Sequence, residues 1–318
     1  MSDSGGLKIT FRGVRGSIAS PGLHTARYGG NTSCLELRCA NAMLILDAGT
    51  GIRSLGLDLV AEFGATPIEA TILISHTHWD HIQGLPFFLP AFFSQHRIRL
   101  MAPHGRGSRL RHALSNQMDP ISFPVGLEQM RGLSRVQELD SAAVSLGPFA
   151  IRVTDLNHPG GCAGFRIETE GVSIAYLPDH EPFGNDSAPG GIKLSNARNR
   201  ALVEFVGGVD LLILDTQYTE AEYRDRRGWG HGCLPDSVFF AVEAGVRQLA
   251  LFHHDPAHDD RDMDAIVETA RELSRPQRLA VMAARENEIV MLGRAKTPLI
   301  IPTFPGLTSG FTPVSTLR

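Results

Sequence analysis

Residues 76–81 read His-Thr-His-Trp-Asp-His and follow the apolar run Ile72-Leu73-Ile74 and Ser75. Imidazole nitrogen and carboxylate oxygen are donors that suit Zn²⁺ and neighbouring divalent ions. An apolar run that ends in a sharp turn lets His76, His78, Asp80 and His81 converge on one small volume. Four such donors exceed what one tetrahedral site with an open position uses, so the spacing predicts two divalent metals. Zn is the first choice, with Mn or Fe as alternatives. The chemistry that follows is hydrolysis. A hydroxide bridging two divalent ions is a nucleophile at neutral pH, which removes the need for a serine or cysteine.

Further donors stand at the ends of other strand-like runs. His158 follows Phe149–Thr154 in Leu156-Asn157-His158-Pro159-Gly160, and Asp179 closes Ser173-Ile-Ala-Tyr-Leu-Pro178. His253 and His254 follow Leu249–Phe252. Strand ends are where α/β folds gather functional groups. Either His253 or His254 could be the donor, and the residue directly after the strand fits better. His254, Asp255 and His258 then become candidates to orient ligand rings. Asp47, ending Met43–Asp47, either supports the motif turn or caps the helix that follows.

These strings resemble the metallo-β-lactamase fold superfamily, over roughly residues 7–293. Gly13–Ser17, Gly29–Cys34, Leu46–Gly51, Ser75–His81 and Phe252–Pro256 are similar to strings shared by poorly characterised bacterial members. The resemblance implies an α/β fold, a four-layer αββα sandwich. It implies His76, His78 and His158 as ligands of one metal, Asp80, His81 and His253 as ligands of the other, and Asp179 bridging both. Asp80 would also accept a hydrogen bond from the hydroxide and set its direction. His78 stands where diiron flavoprotein members carry glutamate, and Asp179 where many secreted β-lactamases carry cysteine.

Asp215-Thr216-Gln217-Tyr218 and Gly228-Trp229-Gly230-His231-Gly232 resemble the phosphodiesterase branch that contains RNase Z. That likeness implies a binuclear phosphodiesterase in which His231 protonates the leaving oxygen and Asp215 holds its tautomer. The sequence departs from the branch at Gly232, where Ser or Thr is usual, and in the DTQY block itself. The glycine-rich arm that grips transfer RNA is not evident either. A small anionic substrate such as a nucleotide is therefore preferred over RNA. Two other readings remain open: a lactam, lactone or thioester hydrolase using the same hydroxide, and a non-catalytic metal-binding regulatory module.

The elements that must position these groups alternate along the chain. Lys8–Arg12, Ser33–Arg38, Met43–Asp47, Ala70–Ser75, Leu211–Leu214 and Gln248–Phe252 read as strands. Ile52, Leu55, Leu59 and Phe63 recur at helical spacing within Gly51–Phe63, and Ser237–Ala244 and Met263–Leu273 read as helices. Residues 7–293 are expected to form one domain, with 103–147 an insertion or lid carrying a helix near Ser108–Gln117. Residues 294–318, with Pro298, Pro302, Pro305 and Pro313, are expected to form an extended tail that docks on the body or on a second subunit in a homodimer.

Composition sets the limits. The chain has 318 residues, and 30 Lys+Arg against 34 Asp+Glu exclude a generally basic nucleic-acid binder. A local basic stretch, Arg97, Arg99, His104, Arg106, Arg109, Arg111 and His112, reads as an anion-attracting groove or a solvated helix face. Arg224, Arg226 and Arg227 precede His231 and are placed to meet phosphate. No run is long and apolar enough for a membrane span. Met1–Gly6 has no signal-peptide character, and Cys34, Cys39, Cys162 and Cys233 form no CxxC pair. Both features predict a cytoplasmic protein with reduced thiols.

Overall fold

Apolar residues occupy both faces of the central strands, so each strand must be covered twice. Leu44 and Leu46 face a cluster shared with Phe149, Phe165, Ile174, Tyr176, Ile213 and Phe252. Their neighbour Ile45 faces another cluster, with Ile52, Leu55, Leu59, Ile72 and Leu100. The period of two along a strand sorts the side chains in this way. The computed structural model describes residues 6–134, 136–184, 194–293 and 299–301.

The strands, in chain order, begin with β1 (Gly6–Gly13), β2 (Cys34–Cys39), β3 (Ala42–Leu46), β4 (Glu69–Leu73), β5 (Arg97–Ala102) and β6 (Gln137–Glu138). Next come β7 (Ala143–Leu146), β8 (Phe149–Leu156), β9 (Cys162–Thr169), β10 (Val172–Leu177), β11 (Leu211–Asp215), β12 (Gln248–Phe252) and β13 (Ala280–Ala283). The last are β14 (Ile289–Gly293) and β15 (Leu299–Ile301). One sheet has the order β15-β14-β1-β2-β3-β4-β5-β6 and the other β13-β12-β11-β10-β9-β8-β7. The two sheets pack face to face on the Phe11, Phe165, Tyr176 and Phe252 core.

Helices cover the outer faces. They are α1 (Gly51–Phe63), α2 (Trp79–Ile82), α3 (Gly107–Gln117), α4 (Ala197–Val206), α5 (Glu220–Tyr223), α6 (Leu234–Glu243) and α7 (Asp260–Ser274). Ile52, Leu55 and Leu59 of α1 and Leu110 and Leu114 of α3 pack on the first sheet. Leu202 of α4, Val238 and Ala241 of α6, and Met263, Ile266 and Ala270 of α7 pack on the second. The layers therefore run α, β, β, α, the metallo-β-lactamase sandwich.

The segment 103–147 supplies α3 and one edge strand to each sheet. β6 pairs parallel with β5, and β7 pairs antiparallel with β8. Of the tail, residues 299–301 form β15 beside β14. Its remainder, including Pro298, Pro302, Pro305 and Pro313, lies outside the described residues.

The basic stretch 97–112 is not one helix face. Arg97 and Arg99 lie on β5, because alternating burial continues through Ile98 and Leu100. Arg106 pairs with Asp155, and Arg109 donates to the Gly160 carbonyl.

Candidate metal centre

β3, β4 and β5 run parallel, as do β10, β11, β12 and β13. Parallel strands place their C-terminal ends on one edge, and the candidate donors follow those ends. His76, His78, Asp80 and His81 come after β4, Asp179 after β10, and His253 after β12; His158 follows β8, which pairs antiparallel with β9 and so runs in the same direction as β10.

His76, His78, His158 and Asp179 bring donor atoms within 4.8 Å of one another. Asp80, His81, Asp179 and His253 form a second such group. Asp179 belongs to both and divides its oxygens between them. Its Oδ2 lies 3.6 Å from His76 Nε2 and 3.5 Å from His158 Nε2. Its Oδ1 lies 3.0 Å from His81 Nε2 and 3.5 Å from His253 Nε2. All seven candidate ligands thus converge.

The donors also fit metal chemically. Among the described residues, His76 Nε2 is buried with no hydrogen-bond partner, and His81 Nε2 and Asp179 Oδ1, 3.0 Å apart, have no well-aligned one. Buried polar atoms are ordinarily satisfied, so an orphaned cluster of nitrogen and oxygen donors calls for a cation. Burial pushes His76 well below its usual range and lowers His78 and His158 as well. Neutral rings carry the lone pairs that a metal needs. Against burial, Asp179 and Asp80 raise His81 well above its usual range and His253 to about 9, so a cation there would displace their protons. Burial alone would raise Asp80 and Asp179. The surrounding histidines, His81 and His253 above all, outweigh it and hold both carboxylates well below their ordinary range.

A further layer of contacts aims the rings. His81 Nδ1 donates to Asp47 at 2.9 Å, and Asp47 also accepts from Ser75 and from the Tyr176 hydroxyl. Thr50, not Asp47, occupies the N-cap position of α1. Asp47 therefore supports the motif turn, one of the two roles its position allowed. His158 Nδ1 donates to the Gly230 carbonyl and His253 Nδ1 to Gln217 Oε1, at 2.9 and 3.0 Å. Each bond leaves Nε2 facing the cluster. Asp47 and His253 both adopt positive φ, 61° and 60°, a conformation that non-glycine residues keep only where packing enforces it.

The structure separates the two candidate histidines after β12. His253 joins the second group, while His254 Nε2 donates to the Ala284 carbonyl. His254 and His258 were expected to orient ligand rings, but neither does. His258 bonds Glu222. Both spend Nε2 on partners outside the donor groups. Asp255 acts only through Gln217, which donates to it at 3.2 Å.

His231 Nδ1 donates to Asp215 at 2.8 Å. Its ring stacks on His253 with centroids 4.8 Å apart. His231 lines a cavity of about 440 Å³ with Ser17, Thr77, His78, Trp79, Asp80 and Asp179. Arg224 pairs with Glu220, while Arg226 and Arg227 lie over the rings of Tyr218 and Tyr223. None of the three lines that cavity.

The Beta-lactamase superfamily domain matches residues 43–254. The chain belongs to the beta-lactamase superfamily. It is a hydrolase of the metallo-β-lactamase fold, with His and Asp clusters suited to divalent metal. A superfamily relative called Ribonuclease Z, from Myxococcus xanthus, is 22% identical over 311 residues, covering 86% of this chain and 95% of its own. The metallo-beta-lactamase fold protein YhfI from Bacillus subtilis superposes with a TM-score of 0.65 at 18% identity, over 90% of this chain and 99% of its own. Human tRNase Z, short form, gives 0.56 at 20% identity, over 89% and 98%.

Several supporting residues of this superfamily site escaped the sequence reading. Gln217 holds His253, yet it appeared only as a departure from the related block. The Ser17 amide donates to Asp80 Oδ2 at 2.8 Å. Gly16 must lack a side chain, because a Cβ there would sit 2.3 Å from His253 Nδ1. Arg15, fully buried, donates to the Gly29, Asp255 and His258 carbonyls. It ties the first strand-end loop to the segment after His253. The string Gly13–Ser17 was the available signal.

Proposed function

We propose that the chain is a binuclear metal-dependent phosphodiesterase acting on a nucleotide or another small phosphodiester. The observation that carries this reading is the Asp215–His231 pair, stacked on His253 at the rim of the cavity above both donor groups. Hydrolysis of a diester needs a proton for the departing oxygen. A histidine whose Nδ1 is held by a buried carboxylate keeps Nε2 as the atom that carries that proton. The relatives named Ribonuclease Z and tRNase Z support a phosphodiester over a lactam. A cavity of about 440 Å³ is of the size that small ligands occupy.

His76, His78 and His158 would hold one ion, Asp80, His81 and His253 the other, with Asp179 between them. When bound, two such ions, with Zn²⁺ first and Mn or Fe as alternatives, supply Lewis acidity toward a phosphoryl oxygen and make a water acidic enough to attack. Asp80, fixed by the Ser17 amide and His253, is placed to accept a hydrogen bond and direct that attack. Gln217 and Gly230 keep His253 and His158 turned toward the donor groups.

Purified protein with Zn²⁺ or Mn²⁺ is expected to cleave bis(p-nitrophenyl) phosphate. His231→Ala is expected to lower kcat by roughly 10²–10⁴-fold, with metal content unchanged. Inertness across metals and diesters, or nitrocefin turnover that survives His231→Ala, overturns the proposal.

A further inference from the structure

Two residues beyond Asp179, Glu181 is 5% exposed. Its carboxylate accepts from the Tyr223 hydroxyl at 2.7 Å and from the Gly228 amide at 2.9 Å on Oε1. On Oε2 it accepts from the Gly230 amide at 2.9 Å. Among the described residues it forms no ion pair. A buried carboxylate held by neutral donors has a considerable desolvation cost, offset only when those donors are fixed in place.

The donors here are fixed by the chain. Gly228 and Gly230 have φ of 81° and 91°, so the turn 228–230 folds its amides around one anionic point, as a backbone nest does. Gly230 has no room for a side chain: a Cβ would lie 2.3 Å from Pro159 Cδ and 2.5 Å from His158 Nδ1. The same residue presents its carbonyl to His158 Nδ1, and the next residue is His231. The Glu181 amide also donates to the Asn157 carbonyl at 3.0 Å, directly before His158.

We propose that Glu181 is a positioning residue that clamps the turn 228–230, and through it sets both His158 in the donor cluster and His231 at the cavity rim. The His231 half rests on the function proposed above, and the His158 half does not. Glu181→Gln keeps the volume but replaces one acceptor with an amide donor facing an N–H. The clamp then opens on that side.

Trp229 lies inside the clamped turn, and the chain has two tryptophans, Trp79 and Trp229. In a Trp79→Phe background, fluorescence reports the turn alone. Glu181→Gln is expected to increase acrylamide quenching of Trp229 and to weaken Zn²⁺ binding by about 10–100-fold, the range for loss of a contact that orients a ligand. With saturating metal, kcat on bis(p-nitrophenyl) phosphate is expected to fall by about 10-fold or more while KM stays within about twofold. Tyr223→Phe, which leaves both amide bonds in place, is expected to move each readout the same way by less. It stands in if the Glu181 variant does not fold. Unchanged quenching and unchanged Zn²⁺ affinity in variants that fold overturn the inference, as does a lower melting temperature with kcat per metal-loaded molecule intact. If the unsubstituted protein cleaves no phosphodiester, the function reading fails, while quenching and Zn²⁺ titration still decide the clamp.

Discussion

His253 and His254 are adjacent in sequence and opposite in environment. His253 Nε2 lies 3.0 Å from Asp80 and 3.5 Å from Asp179. His254 Nε2 is spent on the Ala284 carbonyl, its ring edge-on to Tyr28, and burial pushes it down to about 3, so it stays neutral. His253→Ala is therefore expected to lower bound metal per chain, measured by elemental analysis. His254→Ala is expected to keep its metal and lose about 1–3 kcal/mol in urea unfolding, the cost of leaving a buried acceptor unpaired. Equal metal loss in both variants would reverse the assignment. The candidate donors stood out in the sequence because four share one turn and the others follow strand-like runs. Gln217, Glu181 and Tyr176 were not, since nothing in their residue type distinguishes them. They become partners only when segments far apart in the chain pack together, as when Tyr176 reaches Asp47.

The elements that hold the motif turn meet backbone to backbone. The Asp47 amide donates to Leu73, the Ala48 amide to His81, and the Gly84 amide to Ala48. A Cβ on Gly84 would lie 2.0 Å from the Gly49 carbonyl oxygen, and one on Gly49 would lie 2.3 Å from that of Asp80. Neither obstacle is a flexible side chain. Gly84→Ala is expected to destabilise the fold by about 1–3 kcal/mol and to weaken metal binding together with it. Urea unfolding and Zn²⁺ titration check this, with Gly293→Ala as control because no atom of the described residues lies within 4 Å of its Cβ position. Matching results for the two variants would mean that the contact is not tight. Helix periodicity found α1, yet α6 and α7 start three residues before the apolar periodicity does. Leu234-Pro235 opens α6, and an Asp259–Asp262 capping box opens α7. Mixed strands such as β5, with arginines at alternate positions, gave no apolar run to read.

At the scale of the whole molecule, the donor groups join the two sheets. His76, His78, Asp80 and His81 follow β4 of the first sheet, whereas His158, Asp179 and His253 follow β8, β10 and β12 of the second. Between the sheets lie apolar contacts such as Phe11 of the first on Phe252 of the second. A cation held across the edge would add a directional bond between the layers, one that only the folded arrangement offers. Stability must then rise with free metal, by about 2.7 kcal/mol at a hundredfold excess over Kd. Chelation is expected to lower the melting temperature and to speed amide exchange in all four loops together: 76–82, 157–161, 179–181 and 253–255. Exchange in β2, β11 and the inner core, which open only by global unfolding, is expected to quicken by no more than the loss of global stability. Faster exchange confined to 76–82 would mean that the motif turn holds metal alone and the sheets are joined by apolar packing only. Four donors within one short segment can also bind metal in the unfolded chain, so the melting temperature would then rise less steeply with free Zn²⁺.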